Sequence, residues 1–204
     1  MPTTAAKKES LAALKTIASN GDCFYQAVVE AFLINGDDVL NYEDVVKIDG
    51  EDGASALRRT AAVAVTEDLF NDFKLYQEAG LEDFQFMASM DTVEEVRDKI
   101  LVSGLKVGSK HCLWANEFEI RAVCKALDIC CLILDFDTKD IASKYVRVGE
   151  AREKFVVLQR SGEHYSLVYR REAEGGTALG VVERKDLAGT AKKNWKIDQG
   201  FTDN

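Results

Sequence analysis

The chain reads as a single α/β domain of the α+β kind, with a mixed, mainly antiparallel central sheet packed between helices. Three observations carry that reading. Apolar residues recur at helical spacing through the first two thirds of the sequence, and the last third holds short runs of Val, Ile, Tyr and Phe with partial alternation. Helices first and meandering strands afterwards favour one sheet covered by helices. At 204 residues, 47% hydrophobic and 30% charged, the chain can bury one good core and is short for two. Its one proline is Pro2, so glycine and asparagine must supply the breaks.

Taken in order, residues 1–15 form a polar lead, with a short strand or edge from Leu14 to Ala18. A helix is expected over 23–34, where Phe24, Ala27, Val28, Ala31, Phe32 and Ile34 share a face; Asn35-Gly36-Asp37-Asp38 stops it. Residues 36–53 read as an acidic loop. One long helical pattern runs from Ala54 to Glu78, ended by Gly80, and a short helix covers Leu81 to Ala88. Thr92-Val93-Glu94-Glu95 has the form of a capping box that opens a helix to Val102. Gly104 and Gly108 mark a loop leading to Trp114, and a helix follows over 116–127. Strands are expected at 128–136, 143–148, 154–160 and 164–170, the last two joined as a hairpin through Ser161-Gly162. The domain core is thus 16–171. Residues 172–204 form an extension, either an appendage packed by Leu179, Val181, Val182, Trp195 and Phe201 or a mobile tail.

Composition excludes several functions. A net charge of −9 argues against nucleic acid or an anionic membrane as partner; it suits a basic one, or serves solubility alone, the commoner use of acidic charge. The five cysteines are odd in number, two of them adjacent (Cys130-Cys131), and none shows C-x2-C spacing. They read as reduced thiols in a cytosol-like compartment, of the protein's own cell or of a host, and imply no metal or cofactor. The apolar runs are far shorter than the ~20 residues of a membrane span, and the first residues lack the apolar core of a signal peptide. Monomer is the default.

The chemistry concentrates at two places. Asn20-Gly21-Asp22-Cys23-Phe24-Tyr25-Gln26-Ala27 delivers a thiol to the start of a helix, where unpaired N–H groups and the helix dipole favour thiolate. The N–H groups of Gly21, Asp22 and Cys23 are placed to receive an oxyanion, Asn20 shapes the loop, and Asp22 reads as a turn and helix-cap residue. Far along the chain, Gly162-Glu163-His164-Tyr165-Ser166-Leu167-Val168 sets a histidine at the start of a strand. Cysteine early on a helix and histidine late on a strand is a common plan for a cysteine hydrolase.

Both segments resemble the ovarian-tumour (OTU) family of cysteine proteases, in which the cysteine sits in Asp-Gly-Asn-Cys followed by aromatics and Ala. A third block, Trp114-Ala115-Asn116-Glu117-Phe118-Glu119-Ile120-Arg121-Ala122, is similar to the family's Trp-Gly-x-x-x-Glu segment, and the three occur in family order. The resemblance implies an OTU-like fold and a thiol-dependent deubiquitinase. Such an enzyme cleaves the isopeptide bond after the C-terminal glycine of ubiquitin or a ubiquitin-like protein, with Cys23 as nucleophile and His164 as base. Asn20 stands where the family usually has Asp, and Ser166 where many members have Asp or Asn. Serine can orient the imidazole but supplies no charge to the imidazolium. A Cys–His dyad, help from Asn20, or a carboxylate from elsewhere are the three ways to complete the site. Trp114 reads as a shield beside the histidine or as a plain core residue. The departures also allow a catalytically dead ubiquitin-binding module, and the compact chain a viral or effector polyprotein protease.

Overall fold

The computed structural model describes residues 10–135, 145–150, 152–172 and 178–186. Strand β1 (Ser10–Lys15) precedes helix α1 (Cys23–Ile34), followed by α2 (Gly53–Val63), α3 (Glu67–Glu78), α4 (Val93–Leu101), the short α5 (Gly104–Val107) and α6 (Glu117–Ala126). The remaining strands are β2 (Cys130–Asp135), β3 (Tyr145–Val148), β4 (Lys154–Ser161), β5 (His164–Glu172), β6 (Ala178–Leu179) and β7 (Val181–Glu183). They form one mixed sheet in the order β1-β5-β4-β2-β3, in which only β2 and β4 run parallel among the described pairs.

Helix α1 packs on this sheet over the largest buried cluster, with Phe24, Val28 and Phe32 against Val156, Leu158 and Leu167. A second cluster joins α2, α3 and α4 through Ala61, Phe73, Val96 and Ile100. The sheet's other face closes over Cys130, Leu132, Phe155, Val157 and Val182.

Three sequence expectations are corrected. The first strand covers 10–15, not 14–18, because β5 sets its register: Ser10 lies opposite Glu172 and Lys15 opposite Leu167. Pairing, not local propensity, decides such an edge. The pattern over 54–78 breaks into α2 and α3. Thr66 accepts the Leu69 N–H at 3.3 Å as the cap of α3, and the freed Val65 carbonyl takes two bonds from Arg97 at 3.1 and 2.6 Å. The break is stabilised from outside the helix, which periodicity does not reveal. Residues 104–107, expected as loop, form α5.

Other boundaries hold closely. Thr92 and Asn116 both make complete capping boxes, with Glu95 and Glu119. Residues 143, 144, Phe136, Trp195 and Phe201 lie outside the described residues. Within the extension, β6 and β7 enter a cleft in the sheet. Strands β4 and β5 pair only as far as Val157 opposite Val168; beyond that, Leu179 pairs with Arg170 and Val181 with Val156. Gly180 between them lies so close to α1 that a Cβ would stand 2.3 Å from the Ala31 carbonyl oxygen. The Asn35 carboxamide, just past α1, accepts the N–H groups of Gly180 (2.7 Å) and Val181 (3.0 Å) and donates to the Val181 carbonyl (2.9 Å).

Candidate active site

Gly21 fixes the approach to α1. Its φ is +89°, and a Cβ there would meet the Cys112 sulfur at 2.1 Å, so the position requires glycine on both counts. Asn20 folds over the turn, its Oδ1 accepting the Asp22 N–H at 3.0 Å. Of the three loop N–H groups expected to face an oxyanion, that of Asp22 is therefore already occupied.

Cys23 is the first residue of α1 and is 1% exposed. Its sulfur accepts the Tyr165 N–H at 3.3 Å and lies 3.9 Å from the Glu163 carbonyl, within reach of a thiol donor. These two groups flank His164 along one edge of β5. That edge is open because β1 ends at Lys15, opposite Leu167. The fold thus brings the cysteine of the first motif onto the backbone of the second. On the same strand face, two residues along, the Ser166 hydroxyl is 3.3 Å from His164 Nε2. His164 Nδ1 is buried with no hydrogen-bond partner.

Asp22 does not cap α1; its side chain makes no cap bond there. Oδ1 accepts from Arg58 Nε at 2.5 Å, and Oδ2 from the Ser103 hydroxyl (2.8 Å) and the Leu105 N–H (2.9 Å). Arg58 also donates to the carbonyls of Gly21 (2.8 Å), Ile100 (2.8 Å) and Leu113 (3.0 Å), and its guanidinium lies 4.6 Å from the Tyr25 ring centroid. Both charged side chains are 2% exposed. A buried ion pair with its lone pairs and protons satisfied in this way holds geometry more than it adds stability. Arg58 was not among the residues the sequence singled out. The signal was present: it sits between Leu57 and Ala61 on the apolar face of α2, where a charge requires a buried partner.

The electrostatics depart from expectation. Burial pushes the Cys23 thiol up, outweighing the N–H groups of Tyr165, Phe24 and Cys23 itself, and the Asp22 charge adds to the rise. A helix start alone does not make this cysteine a thiolate. Burial works against the charge of Asp22 too, but the Leu105 N–H, the Ser103 hydroxyl and Arg58 together hold its carboxyl below the usual value.

Beside the pair opens a cavity of about 540 Å³ whose wall includes Trp114, Gly162, Glu163 and Tyr165. Trp114 is half-buried and donates from Nε1 to the Ser109 carbonyl at 3.1 Å, so it packs in the core and lines the cavity at once. Among the charged groups of the lining carboxylates predominate, with Glu82, Asp83, Glu117, Glu119, Asp135 and Glu163 against Arg160, which pairs with Asp135 at 2.6 Å. Among the described residues no group of three or more His, Cys, Asp or Glu could hold a metal ion, and no helix is long and apolar enough to cross a membrane.

No family model matches the chain, and no curated protein matches it significantly. It is similar in fold to solved OTU domains at low sequence identity. One, an OTU domain in complex with ubiquitin, is 12% identical over 84% of this chain and 76% of that one, with a TM-score of 0.48. An OTU deubiquitinase from Wolbachia pipientis wMel is 12% identical over 93% and 96%, with a TM-score of 0.42. The Hazara virus OTU bound to ubiquitin is 14% identical over 81% and 89%, with a TM-score of 0.39.

Proposed function

We propose that the chain is a thiol-dependent deubiquitinase that hydrolyses the isopeptide bond after the C-terminal glycine of ubiquitin or a ubiquitin-like protein. The observation that carries the reading is the seating of the Cys23 sulfur between the backbone groups that flank His164, at the first residue of a helix. In the reaction, the unpartnered His164 Nδ1 takes the thiol proton as the sulfur attacks the glycine carbonyl, and returns it to the lysine amine as the C–N bond breaks. Water, deprotonated by the same imidazole, then releases the thioester. Ser166 fixes the ring through Nε2 as a neutral third member. The N–H groups of Gly21 and Cys23 remain to face the oxyanion.

The acid-lined cavity suits a slender, basic, glycine-ended tail, and the net charge of −9 favours its approach. Five free, buried thiols suit a reducing, cytosol-like compartment. Incubation with ubiquitin bearing a C-terminal thiol-reactive warhead, read by intact mass, tests the reading. One adduct is expected, absent from Cys23→Ala, whose thermal midpoint stays near that of the parent. A folded parent that binds the probe without an adduct is instead the inactive binding module. One that ignores ubiquitin and cuts a polyprotein junction peptide is a processing protease.

A further inference from the structure

We propose that the side-chain amide of Asn20 is an oxyanion donor in this reaction, a catalytic contact that rests on the hydrolase reading above. The two ends of the carboxamide are distinguishable here. Oδ1 accepts the Asp22 N–H at 3.0 Å, and only the oxygen end can face a donor. Nδ2 is therefore turned the other way, where it is buried and has no hydrogen-bond partner. A buried donor left unmade is costly, so one kept beside a nucleophile needs an acceptor that arrives later. His164 Nδ1 is buried without a partner at the same site, and its partner in the reaction is the thiol proton.

The surrounding loop sharpens the need. The Gly21 carbonyl is drawn inward by Arg58, and the Asn20 carbonyl is pressed on Gly104, where a Cβ would stand 1.6 Å from its oxygen. The backbone is thus fixed with the Asp22 N–H turned to Asn20 instead of to substrate. The carboxamide makes the exchange one for one: it takes the Asp22 N–H and presents an N–H of its own. An aspartate at this position could accept the same bond but, ionised, could donate none. As the sulfur bonds to the carbonyl carbon, the C=O π pair moves onto oxygen, and the alkoxide accepts from Nδ2 beside the Gly21 and Cys23 N–H groups. When the C–N bond breaks, that pair returns to re-form C=O, and the departing amine takes its proton from His164.

Asn20→Asp, which preserves the bond to Asp22, is the direct test, with a fluorogenic C-terminal amide of ubiquitin as substrate. Turnover should fall about a hundredfold, the size of a lost oxyanion donor, with KM and thermal midpoint unchanged. The rate-versus-pH curve for alkylation of Cys23 by iodoacetamide, which forms no oxyanion, should keep its high-pH plateau and move only to higher pH, under the added charge. Asn20→Ala, which brings no charge, should show the same split between turnover and alkylation. Turnover within threefold of the parent in either variant, or parallel losses of turnover and alkylation, overturns the assignment. A folded parent that turns over no substrate overturns the hydrolase reading itself, and the assignment with it.

Discussion

The two sides of the site are held in opposite ways. The nucleophile loop rests on Asp22 and Arg58, which between them bond three carbonyls, one N–H, one hydroxyl and each other, all out of water. The histidine side has one neutral contact, from Ser166 at 3.3 Å, and a ring nitrogen with no partner. Buried charge fixes where the sulfur sits, and the imidazole is left lightly tethered. In the proposed reaction, geometry is thus invested in the helix start, and the imidazole is free to serve attack and departure in turn.

The largest break in that comparison comes from the loop side. Asp22→Ala leaves Arg58 buried and unpaired, and should cost about 3–5 kcal/mol in urea unfolding. Replacing both partners by apolar residues, Asp22→Leu with Arg58→Met, should cost less than either single change. A single change that costs under about 1 kcal/mol would mean the pair is not the loop's anchor.

On the histidine side the expected effect is smaller and falls on activity. Ser166→Ala removes one hydrogen bond worth about 0.5–1.5 kcal/mol, so turnover should fall up to about tenfold with stability nearly unchanged. Ser166→Asp should raise turnover by adding charge opposite the imidazolium. A Ser166→Ala loss of a thousandfold would show that the ring is held as tightly as the loop.

The subtlest contrast is in pH. Asp22 has its folded value below 3.8, so its contribution is present above that value and is lost as pH falls through the folded value. Glu119 behaves in reverse. Burial raises its carboxyl from 4.5 to about 7, against the N–H groups of Glu119 and Asn116 and the charge of Arg58, so the folded chain holds the extra proton between those values. Stability should climb as pH drops from about 7 to 4.5 and decline below 3.8. Urea unfolding of Glu119→Gln across this range should lose the climb and keep the decline.

How much of this was legible follows the range of the signals. The helix over 23–34 and the capping box at Thr92 are written within a few residues, and they stand where the sequence puts them. Cys23 and His164 stand out because each sits in a compact motif. The Asp22–Arg58 anchor spans 36 residues and has no local signature beyond a charge on an apolar face. The first strand's register and the break at Thr66 likewise depend on β5 and Arg97, partners distant in sequence. The rise of the Cys23 thiol was illegible for a related reason: sequence places it at a helix start but does not measure its burial.

The hairpin-like segment around Gly180 gives α1 a depth gauge. Its backbone sits against Ala31 near the far end of the helix, and Asn35 hooks it with three hydrogen bonds. Any shift of that segment along the sheet would slide the whole α1 rod and carry Cys23, at its other tip, out of alignment with β5. The last described strands thus calibrate the sulfur's position from the opposite end of the helix, without touching it.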